Sequence, residues 1–171
     1  KHVEKVFRGK TGSMHWTQIN EVFTVPENLK WQPVQFYLAV FLWHAEGTVW
    51  FDDVTLLKNG GHEVLIQDSA SSTDAIMPSD NIIANPGFEE GIKPWQSRQF
   101  AGAGTVTLDT KTARTGSNSV KISGGIKDRT GIIYSIDVKP GEKYNLSIWY
   151  KTGEDGCTPD VLRGGSMAGI Y

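Results

Sequence analysis

The chain has 171 residues and nearly balanced charge, with 17 Lys and Arg against 19 Asp and Glu for a formal net of −2. That length is enough for one well-cored domain. The balance argues against a partner held by charge alone, whether nucleic acid or an anionic membrane surface. No apolar run approaches the roughly 20 residues of a membrane span, and the opening KHVEKVFRGK carries no apolar signal-peptide core. The single cysteine, Cys157, excludes an internal disulfide. Its acidic setting, EDGCTPD, offers nothing to favour a thiolate, so it reads as structural or incidental rather than as a nucleophile.

Taken in chain order, almost every readable segment alternates with period two: HWTQI and EVFTV, then VQFYLAVFLW (34–43) and TVWFDDVTLL (48–57). The stretch 59–80, NGGHEVLIQDSASSTDAIMPSD, is small and polar at its centre and reads as a linker, although HEVLIQ could add a short edge strand. Asn81 to Trp95, NIIANPGFEEGIKPW, reads as a first strand. GTVTLD, NSVKIS, GIIYSIDV and KYNLSIWYK follow as further strands separated by Gly, Pro, Asn and Asp. No 3.6-residue apolar stripe of helical length occurs. The pattern predicts an all-β sandwich or barrel, made of a β-segment 1–58, a linker 59–80 and a β-segment 81–171.

The alternation also assigns faces. In 34–43, Phe36, Leu38, Val40 and Leu42 form a core face, while Tyr37, Phe41 and Trp43 share the other face with Gln35. In 143–151, Tyr144, Leu146, Ile148 and Tyr150 are core, and Asn145, Ser147, Trp149 and Lys151 face away. Asp53 falls in line with Val49 and Phe51, on the inward side, where an unpaired carboxylate is costly. A bound cation, a Lys or Arg partner, or a solvated strand end would each relieve that cost. Six Trp residues require either a large aromatic core or exposed stacking platforms.

These segments resemble carbohydrate-binding modules of the jelly-roll type, the group containing families 4, 9, 16 and 22. The resemblance rests on Asn81, Ile82, Asn85, Pro86, Gly87, Phe88, Glu89, Gly91 and Trp95, then RTGSNSVKIS and IDVKPGEKYNLSIWYKTG, then Trp16, Gln18, Phe23, Val25 and Pro26, and finally GTVWFDDVTL. The order is reversed: 81–171 resembles the first two-thirds of such a module and 1–58 its last third. The resemblance therefore implies a jelly-roll β-sandwich that is circularly permuted, half-exchanged between chains by domain swapping, or cut from tandem modules.

It also implies a non-catalytic module binding β-linked polysaccharide of the glucan, mannan or xylan type. Such a module is secreted or at the cell surface, with a bacterial extracellular setting, and belongs to a larger glycoside hydrolase or other polysaccharide-active protein. A structural or adhesive module without a sugar ligand is the rival reading. Sugar rings stack on aromatic faces and their hydroxyls need amides. This assigns Trp43 and Trp95 as platforms, Gln96, Gln18 and Tyr37 as further contacts, and Trp149 as a weaker one. Core or rim positions are the alternative for Trp16, Trp50 and Trp95. A structural calcium is implied at Glu89 and Asp52 or Asp53, with carbonyls near Asn85, Gly87 and Asn118 completing a shell of six to eight oxygens.

Catalysis is not expected. Asp52-Asp53 and Glu89-Glu90 are adjacent pairs, and adjacent strand residues point to opposite faces, so neither pair flanks one glycosidic bond. His2, His15, His44 and His62 lack metal-ligand spacing, and no nucleophile elbow, P-loop or dinucleotide fingerprint is present.

Overall fold

The computed structural model describes residues 5–8, 15–28, 34–43, 45–58, 80–159 and 165–170, with side chains described over 15–28, 36–43, 45–58 and 80–153. Among these residues there are ten strands and no helix. They are β1 (Lys5–Arg8), β2 (Thr17–Thr24), β3 (Val34–Trp43), β4 (Ala45–Lys58), β5 (Gln96–Ala101), β6 (Thr105–Asp109), β7 (Ser119–Gly124), β8 (Arg129–Val138), β9 (Lys143–Pro159) and β10 (Gly165–Ile170). Two five-stranded antiparallel sheets form, ordered β1-β10-β3-β8-β5 and β2-β9-β4-β7-β6. The chain is an all-β sandwich.

Alternation builds the core as expected. Phe36, Leu38, Val40 and Leu42 of β3 turn inward with Ile132 and Ile136 of β8. They meet Val49, Phe51 and Leu56 of β4, Val120 and Ile122 of β7, and Tyr144, Leu146, Ile148 and Tyr150 of β9. Each such side chain contributes about 1.5–3 kcal/mol on burial. Strands from the two segments interleave: β3 lies between β10 and β8, and β4 between β9 and β7.

Two local readings change, and a third is untested. HWTQI and EVFTV merge into the single strand β2. HEVLIQ lies outside the described residues. Residues 80–95 form turns rather than a first strand, because side chains and positive-φ turns replace a strand ladder there. Leu56 N donates to Asn81 Oδ1 (2.8 Å), Asn81 Nδ2 donates to Val54 O (3.1 Å) and Ile82 N to Leu56 O (3.0 Å). Asn85 (φ 51°) and Phe88 (φ 59°) then turn the chain, and Asn85 Nδ2 holds the loop by donating to Gly91 O and Lys93 O.

The outer face of the first sheet carries a second, smaller cluster in which Ala39 and Phe41 are buried beneath Trp43 and Ile133. Phe41 pairs with Gly131 of β8. A Cβ at Gly131 would lie 2.2 Å from Val40 O and 2.3 Å from Phe41 Cβ, so only glycine lets β3 approach β8 this closely. Gly131→Ala is expected to destabilise the protein by about 1–3 kcal/mol, read as a lower urea midpoint with unchanged slope. An unaltered midpoint would mean that the β3–β8 contact is slack.

Candidate functional site

Two places bring together the residues singled out from the sequence. The first is an acidic loop cluster. β4 breaks register between Asp52 and Thr55, and Asp53 takes φ 48°. The break overturns the expectation that adjacent strand carboxylates point apart. Both are buried and both turn toward loop 114–118. Asp52 Oδ2 accepts from Arg114 N (2.8 Å), and Asp52 Oδ1 from Asp53 N (2.8 Å). Asp53 Oδ2 accepts from Arg114 Nη1 (2.8 Å) and Asp53 Oδ1 from Thr115 Oγ1 (2.7 Å). The Arg partner that the sequence left open for Asp53 is thus Arg114.

The same loop holds Glu89, whose Oε1 accepts from Ser117 N and Asn118 N, both at 3.0 Å, while Asn118 Nδ2 donates to Glu89 O (3.3 Å). Gly116, at φ +62°, leaves the room: a Cβ there would lie 2.4 Å from Glu89 Oε1. Gly87 abuts the aspartates without being required to be glycine: a Cβ there would make ordinary contacts, 3.6 Å from Asp53 Oδ1 and 3.7 Å from Asp52 Oδ1. The carbonyl of Asn85 accepts from Phe88 N (3.2 Å). Among the described residues, no three or more His, Cys, Asp or Glu side chains gather into one metal-binding group.

Burial, and then the negative charge of Asp53, push Asp52 up to about 8 from its ordinary 3.8. An unfolded Asp52 releases its proton near the ordinary value, whereas the folded one keeps it to about 8. The folded state therefore binds the extra proton in that window, and the stabilisation present at low pH is lost as pH rises from about 4 to about 8. In chelator, urea midpoints should fall across this range, and Asp52→Asn should remove that part of the slope. Parallel curves for the two proteins would show that Asp52 ionises normally in the fold.

The second place is the outer face of the first sheet. Tyr37 (40 % exposed), Phe41 and Trp43 line it along β3, and Gln96 of β5 joins them through its pairing with Ile133. The sequence did not single out two further members, Phe100 and Arg129. Phe100 (48 % exposed) tilts against Phe41 at 6.2 Å. Arg129 lies 4.3 Å from the Trp43 ring, 4.9 Å from Phe100 and 5.7 Å from Phe41. The alternation of Gln96, Arg98 and Phe100 was the available signal for β5, but its inward positions are polar. Arg129 sat in a stretch that reads as a turn.

The remaining expected contacts fall elsewhere. Trp95 is corrected from platform to core: it is 3 % exposed, with Phe88 at 5.7 Å and Tyr134 at 5.0 Å, so neither ring face is open to a sugar. Gln18 and Trp149 pair across β2 and β9 on the outer face of the second sheet, away from Trp43. There Gln18 Nε2 donates to Ser147 Oγ (2.6 Å), and the Arg114 guanidinium covers one Trp149 face at 3.6 Å. Trp50 lies on the same outer face and donates its indole N–H to Asp109 Oδ2 (2.8 Å).

No curated protein and no solved structure matches the chain significantly. Residues 80–163, just under half of the chain, match the family model of a carbohydrate binding domain of the 4/9 type. That match spans the turns of 80–95, the loop 114–118 and the strands β5 to β9 that carry Gln96, Phe100 and Arg129. That segment is thus similar to a carbohydrate binding domain of the 4/9 type.

Proposed function

We propose that the chain binds a β-linked polysaccharide of the glucan, mannan or xylan type across the outer face of the first sheet. It does so as a non-catalytic module of a larger polysaccharide-active protein, secreted or at the cell surface. The observation that carries this reading is the outward pair Tyr37 and Trp43, extended by Phe100, underlain by the buried Phe41 and flanked by the Gln96 amide. Such a surface offers flat rings for sugar C–H faces and an amide for hydroxyls. Fluorescence titration with soluble glucans, mannans and xylans should show saturable binding to one of them. Trp43→Ala should weaken that binding roughly fivefold to tenfold. Trp95→Ala should instead lower stability by about 3–5 kcal/mol. No saturable change with any polysaccharide would leave a spacer or adhesive module.

A structural calcium at the acidic loop belongs to the same reading. The Arg114 guanidinium pairs with Asp53 alone, while buried Asp52 is met only by backbone amides and Glu89 lies against the same loop, so a cation here would let Asp52 ionise at neutral pH. Glu89 with Asp52 or Asp53 would hold it, together with carbonyl oxygens near Asn85, Gly87 and Asn118. The module is then completed by both segments, closing within one chain. Light scattering should give 18.9 kDa with calcium present, and chelator should lower the melting temperature, with magnesium failing to restore it. A dimer would instead mean halves exchanged between two chains, and an unmoved melting temperature would remove calcium from the account.

A further inference from the structure

Among the described residues, two arginines stack on tryptophans, and they differ in one respect. Arg114 covers Trp149 at 3.6 Å and reaches a carboxylate, Asp53, at 2.8 Å. Arg129 covers Trp43 at 4.3 Å, with Phe100 and Phe41 also against it, yet among the described residues its side chain makes no ion pair and donates no hydrogen bond. Its Nε is buried without a partner. A guanidinium stays charged in proteins, and a half-buried cation without a counter-ion is costly. We propose that a carboxylate borne by the ligand completes it: the outer face of the first sheet takes an acidic saccharide, a uronate-bearing polysaccharide, with Arg129 as counter-ion.

The surroundings favour an anion. Arg98 stands opposite Gly131, beside Arg129 on the same face. The outward residues Tyr37, Ala39, Phe41 and Trp43 of β3 and Gln96, Arg98 and Phe100 of β5 include no acid. Asp137 of β8 is eight residues from Arg129, about 26 Å along the strand. Asp128, next in sequence, is engaged by the amides of Ala103 (2.8 Å) and Gly125 (2.7 Å). Three rings hold the guanidinium plane in place, so its fork is preorganised for two parallel N–H···O bonds, the geometry a carboxylate accepts. Sugar hydroxyls can accept from the same fork but leave its charge uncompensated.

This inference rests on the reading of that face as the saccharide site, and the test separates the two. The full chain is titrated calorimetrically with three pairs of oligosaccharides: cellohexaose and its C6-oxidised form, mannohexaose and hexamannuronate, and xylohexaose with and without a glucuronate branch. In at least one pair the acidic member should bind tenfold or more tightly at 50 mM salt, in keeping with a hydrogen-bonded charge. The gap should narrow at 500 mM. Arg129→Gln should bring the acidic-to-neutral ratio close to one, and Arg129→Lys should retain part of it. The salt dependence of the unaltered protein decides the matter even where the glutamine variant folds poorly. Equal or tighter binding of every neutral member overturns the acidic ligand and leaves the saccharide site standing. Binding of none of the six overturns both.

Discussion

Among the described residues, no strand of the first segment hydrogen-bonds to another strand of that segment. β1 pairs with β10, β2 with β9, β3 with β10 and β8, and β4 with β9 and β7. Residues 1–58 therefore have no sheet of their own, and their apolar faces find partners only when 81–171 is in place. Every unpaired strand would present open backbone donors and acceptors. The second segment is not self-sufficient either, since its internal pairs join β5 to β8 and β6 to β7 and leave the centre of each sheet vacant. The two segments stand or fall together, which makes the fold one cooperative unit despite the polar stretch between them.

The acidic loop reinforces that dependence. Asp52 and Asp53 belong to β4, Glu89 to the turns before β5, and residues 114–118 hold all three: the Arg114 amide holds Asp52, the Arg114 guanidinium and Thr115 hydroxyl hold Asp53, and the Ser117 and Asn118 amides hold Glu89. Val54 N also donates to Pro86 O. Arg114 then ties the loop to the outer face of the second sheet through Trp149. Breaking a buried ion pair of this kind typically costs 3–5 kcal/mol. One short motif of the sequence thus acquires a physical meaning: the glycine of TGSNS admits the Glu89 carboxylate.

Strong alternation made most of the sandwich legible. β3, β4, β7, β8 and β9 could be read because their inward positions are apolar and β-branched or aromatic. β5 and β10 could not, since QSRQFA has polar residues on both faces and GSMAGI is small and glycine-rich. In the sequence the turns of 80–95 read as a strand because Ile82 and Ile83 look strand-like, whereas the link to β4 comes largely from the Asn81 side chain. The outward placement of Tyr37 and Trp43 follows from alternation along 34–43, whereas Gln96 enters only as the neighbour of Trp95. Trp95 was misplaced because its Gly- and Pro-containing neighbourhood suggests an exposed loop. Convergence of Asp52 and Asp53 depends on one positive φ, which composition does not announce.

The interleaved order has a consequence for synthesis. A ribosome releases β2, β3 and β4 long before their partners exist: β2 ends at Thr24 and its neighbour β9 begins at Lys143. At roughly 5–20 residues per second, the wait is on the order of ten seconds. During that interval VQFYLAVFLW and TVWFDDVTLL are without the strands that pair with them in the finished sandwich. A second chain at the same stage offers no complementary strands, because it lacks the same half, whereas a finished neighbour offers all of them.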